Sequence, residues 1–459
     1  MKDNSLNHKL HLLWRAGFGP SYLQIKNLKN MELSELFQSI SGLDPFQRIN
    51  YVEEQVSEVY SEQEGDNAEL RKAQQRRNRK QNLDLNLDFL DRMVHSKTQL
   101  REKMAFFWHG HFACRTVNPK YNRQLLNSIR RNALGNFKEL LFDVSQSPAM
   151  LSFLNNQQNK KGHPNENFAR EVMELFTMGR GNYSEKDVRE AARAFTGWAF
   201  DRNGKFLERK NQHDSNEKTF LGETGNFDGS DILEIILSKK ETAKFITQKI
   251  YRFFVNEQLD NNRVDALSLE FYNSNYDIMK LMKSIFNSDW FYETKNIGNR
   301  IKSPIELLAG MMRFLPMTIE RNESLVEYQR LLGQMLLYPP NVAGWPSGKS
   351  WIDSSTLMLR LQIPQIWSGL RPMDYEARED DDLDMGLNNK RNPLNRQFKD
   401  PKIVIDWAKV EGSFKNSEIA DYLIQTNDKS ILKLTDRFSS DNLKSKVINL
   451  MSTPEYQLM

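Results

Sequence analysis

Two of the seven histidines stand two apart beside a glycine, in Trp108-His109-Gly110-His111-Phe112, at the end of an apolar helical run. A His-X-His step at a helix end can present both imidazoles to one metal ion, and imidazole suits zinc, iron and copper alike. The same pair could instead cap the helix or bond carbonyls while the aromatics pack. A second group follows His163-Pro164-Asn165, in the run from Glu166 to Phe176. Glu171 and Glu174 are three apart and share one helix face, and paired inward carboxylates are how helical bundles hold metals. Di-iron bundles put a histidine three residues after the glutamate, where this chain has Glu174. A surface helix laced with ion pairs, Glu166 with Arg170 among them, is the other account.

His213-Asp214 forms a third group, in a loop before Lys218 and Gly222. It could supply a metal ligand or a general base, or only satisfy the backbone of its own turn. Together the three groups suggest a metal-dependent, hydrolase-like enzyme. His109, His111 and His213 would hold one or two divalent ions, and Glu171, Glu174 and Asp214 would be the catalytic carboxylates. A metal lowers the pKa of its bound water, and a spare carboxylate takes the proton. The alternative is a non-catalytic scaffold or partner protein, in which the same His, Glu and Arg residues form a structural polar network.

The loop from Tyr338 to Gly348 is dense in Pro, Gly and Trp, which dictates a fixed irregular path. Trp345 and Trp351 could line a ligand platform or plug the core, and Asp353 or Ser354 could cap a following helix. Cys114, the only cysteine, cannot form an internal disulfide, and its apolar setting suits an inert packed thiol. There is no Gly-X-X-X-X-Gly-Lys-Ser/Thr loop, no Gly-X-Ser-X-Gly elbow and no His-Glu-X-X-His.

The elements that must position these groups are mainly helical. Apolar residues at three- and four-residue steps predict helices over 33–40, 87–112, 122–133, 137–144, 165–178 and 185–197. Others are expected over 231–238, 241–254, 264–271, 276–286, 303–314, 324–336, 354–362, 402–409, 416–424 and 440–450. Strands are few, the best at Gly204–Lys210, where Asn203-Gly204 can turn a hairpin. A large multi-helix domain over 1–372 is expected, with a basic insertion at 62–82 that reads as a solvated helix or loop. A charged linker over 373–400 and a small helical module over 401–459 would follow.

Among 459 residues the net charge is only +4, so nucleic acid is not an expected partner. No window approaches the apolar length of a membrane helix. The polar stretch Met1–His11 lacks a signal-peptide core, so a cytoplasmic location is expected by default, with export by another route left open.

The order of these segments resembles the bacterial domain-of-unknown-function family 1800. His11-Leu12-Leu13-Trp14-Arg15-Ala16-Gly17-Phe18-Gly19 and Trp108–Phe112 are similar to its first two blocks. Asn165–Gly179, Asp187–Trp198, His213-Asp214, Ile301–Leu307, Pro339–Trp345 and Ser452–Tyr456 continue the likeness. The resemblance implies no catalytic residues. It does imply a neighbourhood, since members are often encoded beside proteins similar to sulfatases or alkaline phosphatases, and so a partner of that kind.

Overall fold

A computed structural model describes residues 5–42, 45–50, 68–373, 402–426, 431, 433 and 435–459. The expected linker over 373–400 lies outside the described residues apart from its first position. The chain is mainly helical. It opens with α1 (Leu6–Arg15), α2 (Tyr22–Leu28), α3 (Leu33–Ser41) and the 28-residue α4 (Ala68–His95). The described part of the basic run is thus the first half of α4, its arginines and lysines mostly exposed. The stretch expected as one helix over 87–112 is two. Ser96 to Thr98 breaks it, and Gln99 turns back to bond the carbonyls of Met93 and Ser96.

After the break come α5 (Gln99–His111), α6 (Pro119–Asn132), α7 (Phe137–Ser145), α8 (Pro148–Phe153) and α9 (Glu166–Glu171). Helix α9 widens without interruption into a π-helical turn, Val172–Thr177. Then α10 (Glu185–Ala194) leads to the hairpin β1 (Trp198–Phe200) and β2 (Phe206–Glu208). Gly204 at φ +79° makes the turn read from the sequence. A second hairpin joins β3 (Lys218–Phe220) to β4 (Glu223–Gly225).

The chain continues through α11 (Gly229–Ser238), α12 (Lys240–Phe254), α13 (Asn261–Asn273), α14 (Ile278–Phe286) and α15 (Pro304–Phe314). Strand β5 (Met317–Ile319), α16 (Ser324–Leu331) and α17 (Ser354–Trp367) follow. The helix expected over 402–409 begins instead as strand β6 (Ile403–Ile405), antiparallel to β5. Its Ile-Val-Ile run suits an extended half-buried strand better than a helix. The end of the chain holds α18 (Trp407–Glu411), α19 (Ile419–Leu423) and α20 (Leu443–Met451).

Most helices start where a Ser, Asn or Asp side chain accepts the first free N–H groups. Ser184, Asp228 and Ser303 form full capping boxes. Asp353 caps α17 through Ser355 and Thr356. One hydrophobic cluster runs from Leu10 to Tyr456. The last residues are stitched into it, with Met459 N–H on the Arg300 carbonyl and Lys302 N–H on that of Gln457. No helix of the described residues is long and apolar enough to cross a membrane.

Candidate functional site

His109 and His111 end α5 inside the protein. Nε2 of His109 accepts the N–H of Leu337 at 3.1 Å, so this nitrogen carries no proton and the ring is neutral. Leu337 sits at φ +69°, a left-handed conformation that L residues avoid. The imidazole therefore anchors a strained backbone turn at the entrance of the Pro-Gly-Trp loop. Trp345 of that loop packs on His109 with ring centres 5.3 Å apart. Gly344, at φ +87°, lies so close that an added Cβ would meet the Gly110 carbonyl oxygen at 2.4 Å. Asn86 of α4 and Gln329 of α16 bond each other and hold the loop at Leu336 from the other side. Trp351 is buried, and Trp345 is half-buried against His109.

His111 faces the acidic helix through its backbone. Its Nε2–H donates to the Phe176 carbonyl at 3.0 Å, and its Nδ1 accepts from Lys249 Nζ at 3.3 Å. Lys249 also donates to the Leu175 carbonyl. These two carbonyls belong to the wide turn that ends the helix, where cationic or N–H donors are the favoured partners. Burial holds His109 down to about 4. Burial first, then Lys249, keeps His111 well below the ordinary imidazole range. Burial also lowers Lys249 to about 8, with Arg252 adding to it.

Glu174 and Asp214 are engaged elsewhere. Glu174 accepts from Arg180 Nε at 2.6 Å and from the Tyr183 hydroxyl. Glu171 is half-buried, and burial and then Glu174 raise its pKa. Arg170 on the same helix binds Glu166 and Glu185. Arg193 donates to Asp214 at 2.8 Å and to Glu190 at 2.9 Å. Burial pushes the Asp214 carboxyl up, but Arg193 and the Asn216 N–H outweigh it and leave it below its usual range. His213 gives its Nδ1–H to the Thr196 carbonyl at 2.9 Å. Among the described residues, no three His, Cys, Asp or Glu side chains gather as a metal-ion site. His111 keeps no ring nitrogen for a metal, and His109 keeps only Nδ1. Burial raises the Cys114 thiol far out of reach of the reactive thiolate.

A second constellation was not singled out from the sequence. Glu306 in the first turn of α15 is fully buried, and its Oε1 binds Lys103 of α5 and Arg300. Its Oε2 closes the capping box on the Ser303 N–H. Arg15, Lys302 and Arg360 are buried around the same carboxylate. Lys302 lies over the rings of Trp14 and Tyr456, 3.9 and 3.7 Å from their centres. Arg360 donates to the Lys302 carbonyl. Burial would raise Glu306, yet Arg300 and Lys103 hold it at about 2. Burial brings Lys103 to about 8 and Arg15 to about 9, and holds Lys302 well below the usual lysine range. The sequence signal was a charge set among apolar neighbours on a helix, as with Arg15 after Leu12-Leu13-Trp14 and Glu306 between Ile305 and Leu307.

An open cleft of about 650 Å³ lies between α6 and the β1–β2 hairpin, with Arg48, Gln124, Asn127, Arg131, Phe46 and Phe206 in its wall. It contains none of the histidines or carboxylates above.

No curated protein and no solved structure matches the chain. A family model described as "Protein of unknown function (DUF1800)" matches residues 11–458. The chain therefore belongs to that family.

Proposed function

We propose that this protein is a non-catalytic scaffold or partner protein, in which the His, Glu and Arg residues serve as internal fasteners. The observation that carries this reading is His111, whose two ring nitrogens are both engaged, by the Phe176 carbonyl and by Lys249. A catalytic imidazole needs a free nitrogen for a metal or a proton. Arg193 likewise neutralises Asp214 and Glu190. Such a network gives the fold one definite arrangement without doing chemistry. A partner similar to a sulfatase or phosphatase rests on the family resemblance alone.

Elemental analysis of protein purified without chelator tests this reading. The expected result is no stoichiometric transition metal, and the same content in wild type, His109→Ala and His111→Ala. One zinc, iron or copper per chain, lost in both variants, would restore the metal-enzyme alternative with His109, His111 and His213 as ligands.

A further inference from the structure

We propose that the buried guanidinium of Arg15 holds one small inorganic anion, chloride or a tetrahedral oxyanion, as an internal counter-ion. Arg15 ends α1 and is fully buried. Only its Nη2 has partners, the Asn296 carbonyl at 3.0 Å and the side-chain oxygen of Asn299. Both are neutral acceptors. Its Nε and Nη1 are buried with no hydrogen-bond partner. Unmet buried donors are destabilising, and more so when they are charged. Native structures rarely leave them so.

Charge points to an anion rather than to water alone. Near Arg15 lie Lys103, Arg300 and the single buried carboxylate Glu306, whose oxygens are already taken by Lys103, Arg300 and the Ser303 N–H. Lys302 and Arg360 add two more buried basic groups around that carboxylate. Five basic side chains thus face one buried acid, with the exposed Glu257 the only other carboxylate acting on Arg15 among the described residues. A water molecule can satisfy N–H groups, but it leaves that imbalance in place, and isolated buried charge is among the costliest arrangements in a protein. An anion on the free N–H groups of Arg15 meets both demands, because guanidinium donors bind halide and oxyanion alike. It would fix α1 to the Asn296–Glu306 segment.

The test needs no variant to begin. Wild-type protein is prepared in chloride, phosphate and sulfate buffers in turn and exchanged exhaustively into gluconate. It is then unfolded in urea, and the released anions are counted by ion chromatography. About one anion per chain is expected, and the buffer that supplies it names the species. In parallel, the melting temperature is followed in gluconate while each anion is added at constant ionic strength. A saturable rise of about one to four degrees with the bound species is expected. Arg15→Met, similar in length but uncharged, should release no anion and lose the saturable rise. If that variant does not fold, the two wild-type measurements decide alone. Release of far less than one anion, together with melting temperatures that shift alike for all salts, would overturn the proposal in favour of buried water.

Discussion

The imidazole node at the end of α5 and the charged cluster around Glu306 face the same difficulty and meet it in opposite ways. Both are buried and both join distant parts of the chain. The node sheds its charge. His109 and His111 are neutral; His109 accepts the Leu337 N–H, and His111 is held by the Phe176 carbonyl and by Lys249. The cluster keeps charge, pairing one carboxylate with several cations and leaving guanidinium N–H groups of Arg15 and Arg360 without partners. A neutral, hydrogen-bonded group is a cheap fastener, whereas a buried charge stays costly unless something balances it. Residue type alone therefore misleads about where ligand chemistry lies. The histidines look like the reactive set, yet the cluster's unmet donors are on its arginines.

The largest expected effect comes from removing the cluster's only acid. Glu306→Gln keeps the shape but strands Lys103 and Arg300, and should cost about 3–5 kcal/mol in urea unfolding. A loss below about 1 kcal/mol would show that the pairing with Glu306 carries little weight, which would erase the contrast between the regions. Next is Gly344→Ala in the loop clasped by the node. With φ +87° and the Gly110 carbonyl in the way, it should lose about 1–3 kcal/mol, while the cluster's response to anions stays unchanged.

Acid should dissolve the two regions in sequence. His109 is held at about 4 in the fold against an ordinary value of 6.5, so between those pH values the unfolded chain binds more protons. Its contribution to stability is present above 6.5 and is lost as pH falls toward 4. Glu306, at about 2 against an ordinary 4.5, loses its contribution only below 4.5. His109→Gln should therefore flatten the stability profile between pH 6.5 and 4 by about one proton and leave the lower window alone. Equal slopes for variant and wild type would mean that the imidazole is not buried neutral. Smallest of all, Arg180→Ala breaks only the pair of Glu174 with an exposed arginine. It should leave the melting temperature unchanged, and a clear drop would give the acidic helix a weight that the node does not explain.

Much of the helical frame was legible because an amphipathic helix writes its buried face at three- and four-residue spacing. Leu33–Ser41, Phe137–Ser145 and Pro304–Phe314 fall within a residue of their expected positions. The turn at Gly204 was legible for the same kind of local reason, a glycine's tolerance of positive φ. Strand β6 was read as helix because three apolar residues in a row carry no period, and its partner β5 is far away in the chain. The break between α4 and α5 was hidden because apolar spacing continues across it. His109, His111 and Asp214 were visible as unusual polar residues, but their partners Leu337, Phe176 and Arg193 are fixed by packing, which no local spacing encodes. Glu306 could be read as the third residue of a capping box, though not as the counter-charge of Lys103, 203 positions earlier.

By itself the sequence determined the helix-rich class, the cap of α17, the hairpin turn and the family, since each follows from local spacing or from the linear order of motifs. Only the tertiary structure decided which polar groups lose their water together. Desolvation depends on what surrounds a group in space, and that is what makes His109 a neutral fastener and Arg15 a buried cation with donors to spare.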